Sequence, residues 1–290
     1  MITNLKKKAA AVLLSALFIS VPMRAYGHAP WSQVNGRWIS ADGKTPIDGA
    51  LEKGITITKY QNKKGAIDWR KVGKEDISFA MVLLGNYDEQ DPYFDENMKG
   101  AEAAGIKAGV CFYGMARNAE EARKEAEYVL DIVKDYRVSY PISYDIESSP
   151  LLDGKYTRKQ VTELVNAFCR EIEEAGYRAV VFGDNEWMTE YMDVRKISYD
   201  IWYSRYGMAN TFANRTIWRC TESGTVNGIQ GNVCLEFSFD DYEESFLGTG
   251  WRQINGEEYY FYDYRMVKDT ALYIDGIRYI FDRKGRNIIR

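Results

Sequence analysis

The sequence predicts an α/β fold, a parallel sheet closed into an irregular barrel of the TIM type, followed by a small all-β segment of hairpin repeats. Three observations carry this. From Gly54 to about residue 241, short β-branched and aromatic runs alternate with amphipathic helical patterns, as β-α-β units require. Eight strand runs occur, the number that closes such a barrel. The last three are separated by segments with little helical pattern, so the final strands should lack covering helices.

The strand runs lie at 54–58, 77–83, 107–113, 140–146, 178–183, 199–204, 215–220 and 232–237. A helix is expected over 118–136, where Ala122, Ala126, Val129, Leu130 and Val133 share one face, and another over 157–175 through Val161, Leu164, Val165, Phe168, Cys169 and Ile172. Thr157 suits the N-cap of the second and Gly176 its stop. In a barrel of this kind reactive groups gather at the carboxyl ends of strands.

The fourth run ends in two acids, Tyr144-Asp145-Ile146-Glu147. Side chains alternate along a strand, so Asp145 and Glu147 share a face with Cα atoms roughly 6.5 Å apart. Two carboxyls held together in partial burial repel, so one keeps its proton while the other stays charged, a division of labour suited to glycosidic bond cleavage. Taken alone, D-x-E is equally a solvated strand end.

The chain has 290 residues, 46% of them hydrophobic, enough for one sizeable core and a small appendage. Its 22 tyrosines and 7 tryptophans suit contact with sugar faces or an aromatic repeat. Residues 1–27 carry Lys6, Lys7, Lys8 and Arg24 and no acid, then an apolar run from Ala9 to Val21 and a small-x-small site at Ala25-Tyr26-Gly27. This reads as a secretory leader, because the apolar run falls short of the ~20 residues a spanning helix needs. Its loss moves the formal charge from −4 to about −8, which argues against nucleic-acid binding, and no membrane contact is expected afterwards. Cys111, Cys169, Cys220 and Cys234 would meet an oxidising milieu and could make two bridges in three ways; Cys169 is expected as a buried thiol, and Cys220 and Cys234 flank a Gly-rich loop that would let them pair. His28 is the only histidine and no C-x-x-C is present, so neither a metal centre, nor a Ser-His-Asp triad, nor an organic cofactor is expected.

Two further segments flank the barrel region. Over 28–49, Trp31, Asn35-Gly36, Trp38 and Asp42-Gly43 mark a short hairpin-like unit. After a linker, 251–290 repeat with a period of 20: Trp251 aligns with Ala271, Asn255-Gly256 with Asp275-Gly276, Tyr259 with Tyr279 and Phe261 with Phe281. Stacked hairpins are implied, since one hairpin cannot bury its own face.

Gly54-Ile55-Thr56-Ile57-Thr58, Ile67-Asp68-Trp69, Asp91-Pro92-Tyr93-Phe94, the Y-D-I-E strand, Tyr199-Asp200-Ile201-Trp202 and Gly228-Ile229-Gln230-Gly231 together resemble the lysozymes of glycoside hydrolase family 25. The resemblance runs in order from about 54 to 241, within a domain expected over 50–243. It implies a (β/α)5β3 barrel and hydrolysis of the β-1,4 bond between N-acetylmuramic acid and N-acetylglucosamine in bacterial peptidoglycan, outside the cell or at its wall. It also implies Glu147 as general acid/base and Asp145 as the group steadying the substrate acetamido, which serves as internal nucleophile. The units at Trp31 and 251–290 are similar to choline-binding wall repeats, although Ala271 and Ile280 stand where aromatics are expected. The implied partners are therefore peptidoglycan glycan strands and choline-bearing or other wall polymers.

The pattern is broken at four places. Thr56 stands at an acid position, Cys111 and Phe182 at tyrosine positions, and Cys234 at a second acid position. Tyr113, Trp202 and Trp218 are candidates to stack on sugar rings and Arg219 to meet a muramyl carboxylate, against core packing and an ion pair respectively. Glu236, on the same strand face as Cys234, is a candidate replacement charge, and Asp184 a candidate helix cap. The leading expectation is a secreted muramidase; the alternative is a non-catalytic relative that keeps the glycan groove without turnover.

Overall fold

A computed structural model describes residues 27–147, 156–207, 212–246 and 248–289; the expected leader lies outside them apart from Gly27. After a two-stranded hairpin of β1 (Gln33–Val34) and β2 (Arg37–Trp38), eight strands close a barrel. They are β3 (Glu52–Ile57), β4 (Phe79–Asn86), β5 (Lys107–Tyr113), β6 (Ile142–Asp145), β7 (Ala179–Asp184), β8 (Asp200–Ser204), β9 (Arg215–Gly224) and β10 (Val233–Ser238). The segments joining the early strands carry α1 (Lys59–Asn62), α2 (Trp69–Val72), α3 (Phe94–Ala103), α4 (Ala119–Val133) and α5 (Arg158–Glu174). Thr157 caps α5 in a reciprocal box with Gln160, and Gly176 follows it with φ +80°, as the turn out of the helix demands. The expected parallel sheet needs one correction. Strands β3 to β9 run parallel, but β10 is antiparallel to both of its neighbours, β9 and β3.

Inside the barrel, Phe79 stacks on Tyr140 at 4.2 Å and Tyr242 meets Tyr140 edge-on at 5.0 Å, closing the floor. Gly54 is required there, because a Cβ would lie 2.3 Å from the Phe79 ring. The outward side chains form a larger core against α3, α4 and α5.

No described helix covers β9 and β10. The N-terminal hairpin unit does so instead: Trp38 packs 5.5 Å from Phe237, and Trp31 lies 6.0 Å from Trp218 and 6.1 Å from Phe237. Trp38 is only 5% exposed, so Trp38→Ala should cost about 3–5 kcal/mol, read as a lower urea midpoint. An unchanged midpoint would show that the unit is not part of the barrel's core.

After α6 (Tyr242–Ser245) come two three-stranded antiparallel sheets, β11 (Gly250–Ile254), β12 (Glu257–Tyr262) and β13 (Arg265–Met266), then β14 (Thr270–Ile274), β15 (Ile277–Phe281) and β16 (Asn287–Ile289). Asn255-Gly256 and Asp275-Gly276 form their turns with positive φ, in register with the 20-residue period. Trp251 joins the repeats, 5.1 Å from Tyr260 and 4.7 Å from Tyr279. The first repeat sits against the carboxyl ends of the outer helices. Arg252 lies 4.2 Å from the Tyr177 ring and 4.0 Å from that of Phe261, while Arg137 pairs with Asp263 and Lys268 with Asp135. Helices run against the strands in such a barrel, so this is the face away from the strands' carboxyl ends.

Candidate active site

On β6 the alternation puts Tyr144 and Ile146 outward and Ser143 and Asp145 inward. Tyr144 stacks on Phe168 of α5 at 3.9 Å and donates its hydroxyl to buried Glu125 of α4, fixing the strand end from behind. Asp145 Oδ1 accepts the backbone N–H of Glu147 at 3.0 Å. Glu147 Oε1 accepts the backbone N–H of Asp184 at 2.5 Å. Asp184 Oδ1 accepts from Trp187 N at 2.9 Å and so caps the turn after β7.

Both acids are half-buried, and their environments separate them. Burial pushes Glu147 up to about 7, and the charge of Asp145 adds to the shift. Burial pushes Asp145 up to about 6, against the Glu147 N–H and the charge of Arg219. At the pH between those values Glu147 holds the proton and Asp145 is ionised.

Beside Asp145 a pit of about 80 Å³ opens at the barrel mouth. Thr56, Cys111, Phe182 and Cys234, which come from four different strands, all line it, together with Tyr113, Trp202 and Arg219. Thr56 Oγ1 donates to Glu236 Oε1 at 2.7 Å and accepts from Arg219 Nη2 at 2.9 Å; Arg219 Nε donates to Glu236 Oε1 at 3.0 Å. Glu236 is fully buried, and burial raises its carboxyl against the pull of Arg219. The guanidinium does not deprotonate, so it demands a carboxylate beside it. An Arg–Glu–Thr cluster thus fills the barrel mouth beside Cys234.

Four expectations are corrected. Trp218 does not face the mouth: it lies between inward Ile217 and Arg219, points to Trp31 and Phe237, and donates Nε1–H to the Arg205 carbonyl at 2.8 Å. Trp202 lines the pit but offers no ring face to a sugar, being 1% exposed with Phe182 edge-on and the Arg219 guanidinium 4.6 Å from its centroid. Arg219 is committed to Glu236 rather than open to a muramyl carboxylate. Tyr113 remains half-buried on the pit wall. The Cys220–Cys234 bridge is absent: Cys220 donates Sγ–H to the Leu235 carbonyl inside the outer core, while Cys234 faces the pit, and all four cysteines are thiols.

A second hollow, about 280 Å³, adjoins Glu147 and is bounded by Asp184, Asn185, Ser204, Arg205 and Tyr206. Sequence reasoning missed Arg205 and Tyr206. The available signal was their place just beyond the carboxyl end of a barrel strand. Among the described residues no group of three or more His, Cys, Asp or Glu is placed to hold a metal ion.

Comparison with known proteins agrees with the fold. No curated protein sequence matches the chain. The modular autolysin LytC from Streptococcus pneumoniae, solved with a synthetic peptidoglycan ligand, is similar with a TM-score of 0.62 and 24% identity over 72% of this chain and 52% of its own. The chain thus spans about half the length of that protein. A family 25 glycosyl hydrolase from Bacillus anthracis gives 0.58 and 21% over 69% and 94%, and the spore cortex lytic enzyme SleM from Clostridium perfringens 0.58 and 13% over 83% and 86%. At such identities the likeness establishes the fold. The sequence profile of glycosyl hydrolases family 25 matches residues 55–229, more than half of the chain and both acids included, and the chain therefore belongs to that family.

Proposed function

We propose that the chain is a secreted muramidase, cleaving the β-1,4 bond between N-acetylmuramic acid and N-acetylglucosamine in peptidoglycan. The observation that carries this reading is the acid pair, Asp145 and Glu147, both raised by burial, at the mouth of a barrel beside a pit with room for one acetamido group. Glu147 protonates the glycosidic oxygen as the C1–O bond breaks, and the acetamido carbonyl oxygen bonds to C1. Asp145 stabilises the positive charge of the resulting oxazolinium. Water then adds at C1, giving its proton to the Glu147 carboxylate, and the ring opens to restore the acetamido with the original anomeric configuration.

The test is release of new reducing ends carrying N-acetylmuramic acid from purified peptidoglycan, with binding measured in parallel by pull-down. The gathering of Thr56, Cys111, Phe182 and Cys234 in one pit favours the rival reading, a wall-binding relative without turnover, and binding with no release would establish that rival. For the terminal repeats we favour a structural cap, supported by the Arg252–Tyr177, Arg137–Asp263 and Lys268–Asp135 contacts between repeats and barrel. Residues 1–27 serve as the leader that carries the chain to the wall.

The proposed proton assignments set a pH profile. Turnover needs Asp145 ionised and Glu147 protonated, so the rate should rise through about 6 and fall through about 7, a narrow bell whose limbs belong to the coupled pair. A rate that stays flat from about pH 5 to about pH 8 would overturn these assignments.

A further inference from the structure

The hollow beside Glu147 contains a charge that no described residue uses. Glu147 is engaged by the Asp184 N–H, Asp184 by Trp187, and Asn185 Oδ1 accepts the Tyr203 hydroxyl at 2.7 Å. The Arg205 guanidinium lines the same hollow, yet it makes no hydrogen bond or ion pair with any described residue. Its backbone, by contrast, is fixed on both sides. Arg205 N–H donates to the Arg219 carbonyl at 3.1 Å, and its own carbonyl accepts the Trp218 indole N–H at 2.8 Å. Next to it Tyr206 is 51% exposed, with its hydroxyl held by Glu222 Oε2 at 3.1 Å.

A guanidinium is a fork of donors suited to a carboxylate, and a surface tyrosine covers the apolar face of a sugar. An arginine on a rigid base, without a partner among the described residues, beside an available ring and the proton donor, has the composition of a subsite for an acidic sugar. We infer that Arg205 binds a carboxylate carried by the glycan, the lactyl acid of a muramyl residue where that acid is free, and so sets the preference of the enzyme among glycan strands. The inference rests on the muramidase reading only in that Glu147 marks where the scissile bond lies. Arg219 is not placed for this part, because its Nε and Nη2 are engaged by Glu236 and Thr56 and its side chain is only 15% exposed.

The test uses three substrates: strands stripped of peptide, the same strands with their lactyl carboxylates converted to neutral methyl amides, and peptide-bearing strands, in which the lactyl acid is tied up in an amide. Equilibrium binding is read in the full chain carrying Glu147→Gln, so turnover is not needed. That protein should bind the stripped strands roughly ten- to hundredfold more tightly than the methyl amides. Adding Arg205→Ala should abolish this preference, and Arg205→Lys should keep part of it. Peptide-bearing strands that bind as weakly as the methyl amides identify the lactyl acid; if they bind as tightly as the stripped strands, the carboxylate is on the peptide. Equal weakening of charged and neutral strands by Arg205→Ala, or no preference before that substitution, overturns the assignment. Failure of the muramidase reading would look different: an intact binding preference with no hydrolysis by the unsubstituted protein.

Discussion

Glu147→Gln should lower the rate of peptidoglycan hydrolysis by about 10²- to 10⁴-fold while leaving glycan binding in place, because it removes the proton donor and keeps the side-chain volume. The variant should also be no less stable, and near neutral pH more stable. The reason is the sign of the linkage. Burial raises both acids from their ordinary values to about 6 and about 7, so between roughly pH 4 and pH 7 the folded chain retains protons that the unfolded chain has released. Stability therefore falls as pH rises through that window, and an amide at 147 removes part of the fall. Rate and thermal midpoint measured on the same preparation separate loss of chemistry from loss of fold. If Glu147→Gln releases reducing ends as fast as the parent, the assigned acid is wrong.

The second large effect is expected at Arg219–Glu236. Replacing either partner alone leaves an uncompensated charge in the barrel mouth, which should cost about 3–5 kcal/mol, or roughly 10 °C in midpoint. Arg219→Met should recover stability as pH falls, since Glu236, already raised by burial, can then take up a proton. Glu236→Leu should show no such recovery, because the guanidinium keeps its charge. The double substitution Arg219→Met with Glu236→Leu should return close to the parent, as apolar replacements of buried ion pairs often do. Urea unfolding of the four proteins at two pH values gives the answer; additive losses in the double variant would mean that the two side chains do not act as a pair.

The barrel was legible because its strands are buried on both faces and read as continuous β-branched and aromatic runs, while α4 and α5 carry clean helical periods. The direction of β10 was within reach. Residues 225–232 are too short a connection for a parallel crossover, which needs a dozen residues or more. Side-chain parity was the other lapse: Trp218 and Arg219 are neighbours on one strand and cannot both enter the cleft. The register shifts between β9 and β10, at Val233/Leu235 and Leu235/Glu236, begin beyond Arg219 and leave that parity intact. The ion pair itself depends on two residues 17 positions apart meeting across an antiparallel seam, and no local pattern encodes such a meeting.

The Trp31–Trp38 cover on the helix-free strands bears on where the folding unit begins. The family match starts at residue 55, and a fragment trimmed to that point would lay bare Trp218 and Phe237 together. Such a truncation should be sticky and prone to clump, however sound its catalytic groups, so the smallest soluble piece of this protein begins upstream of Trp31.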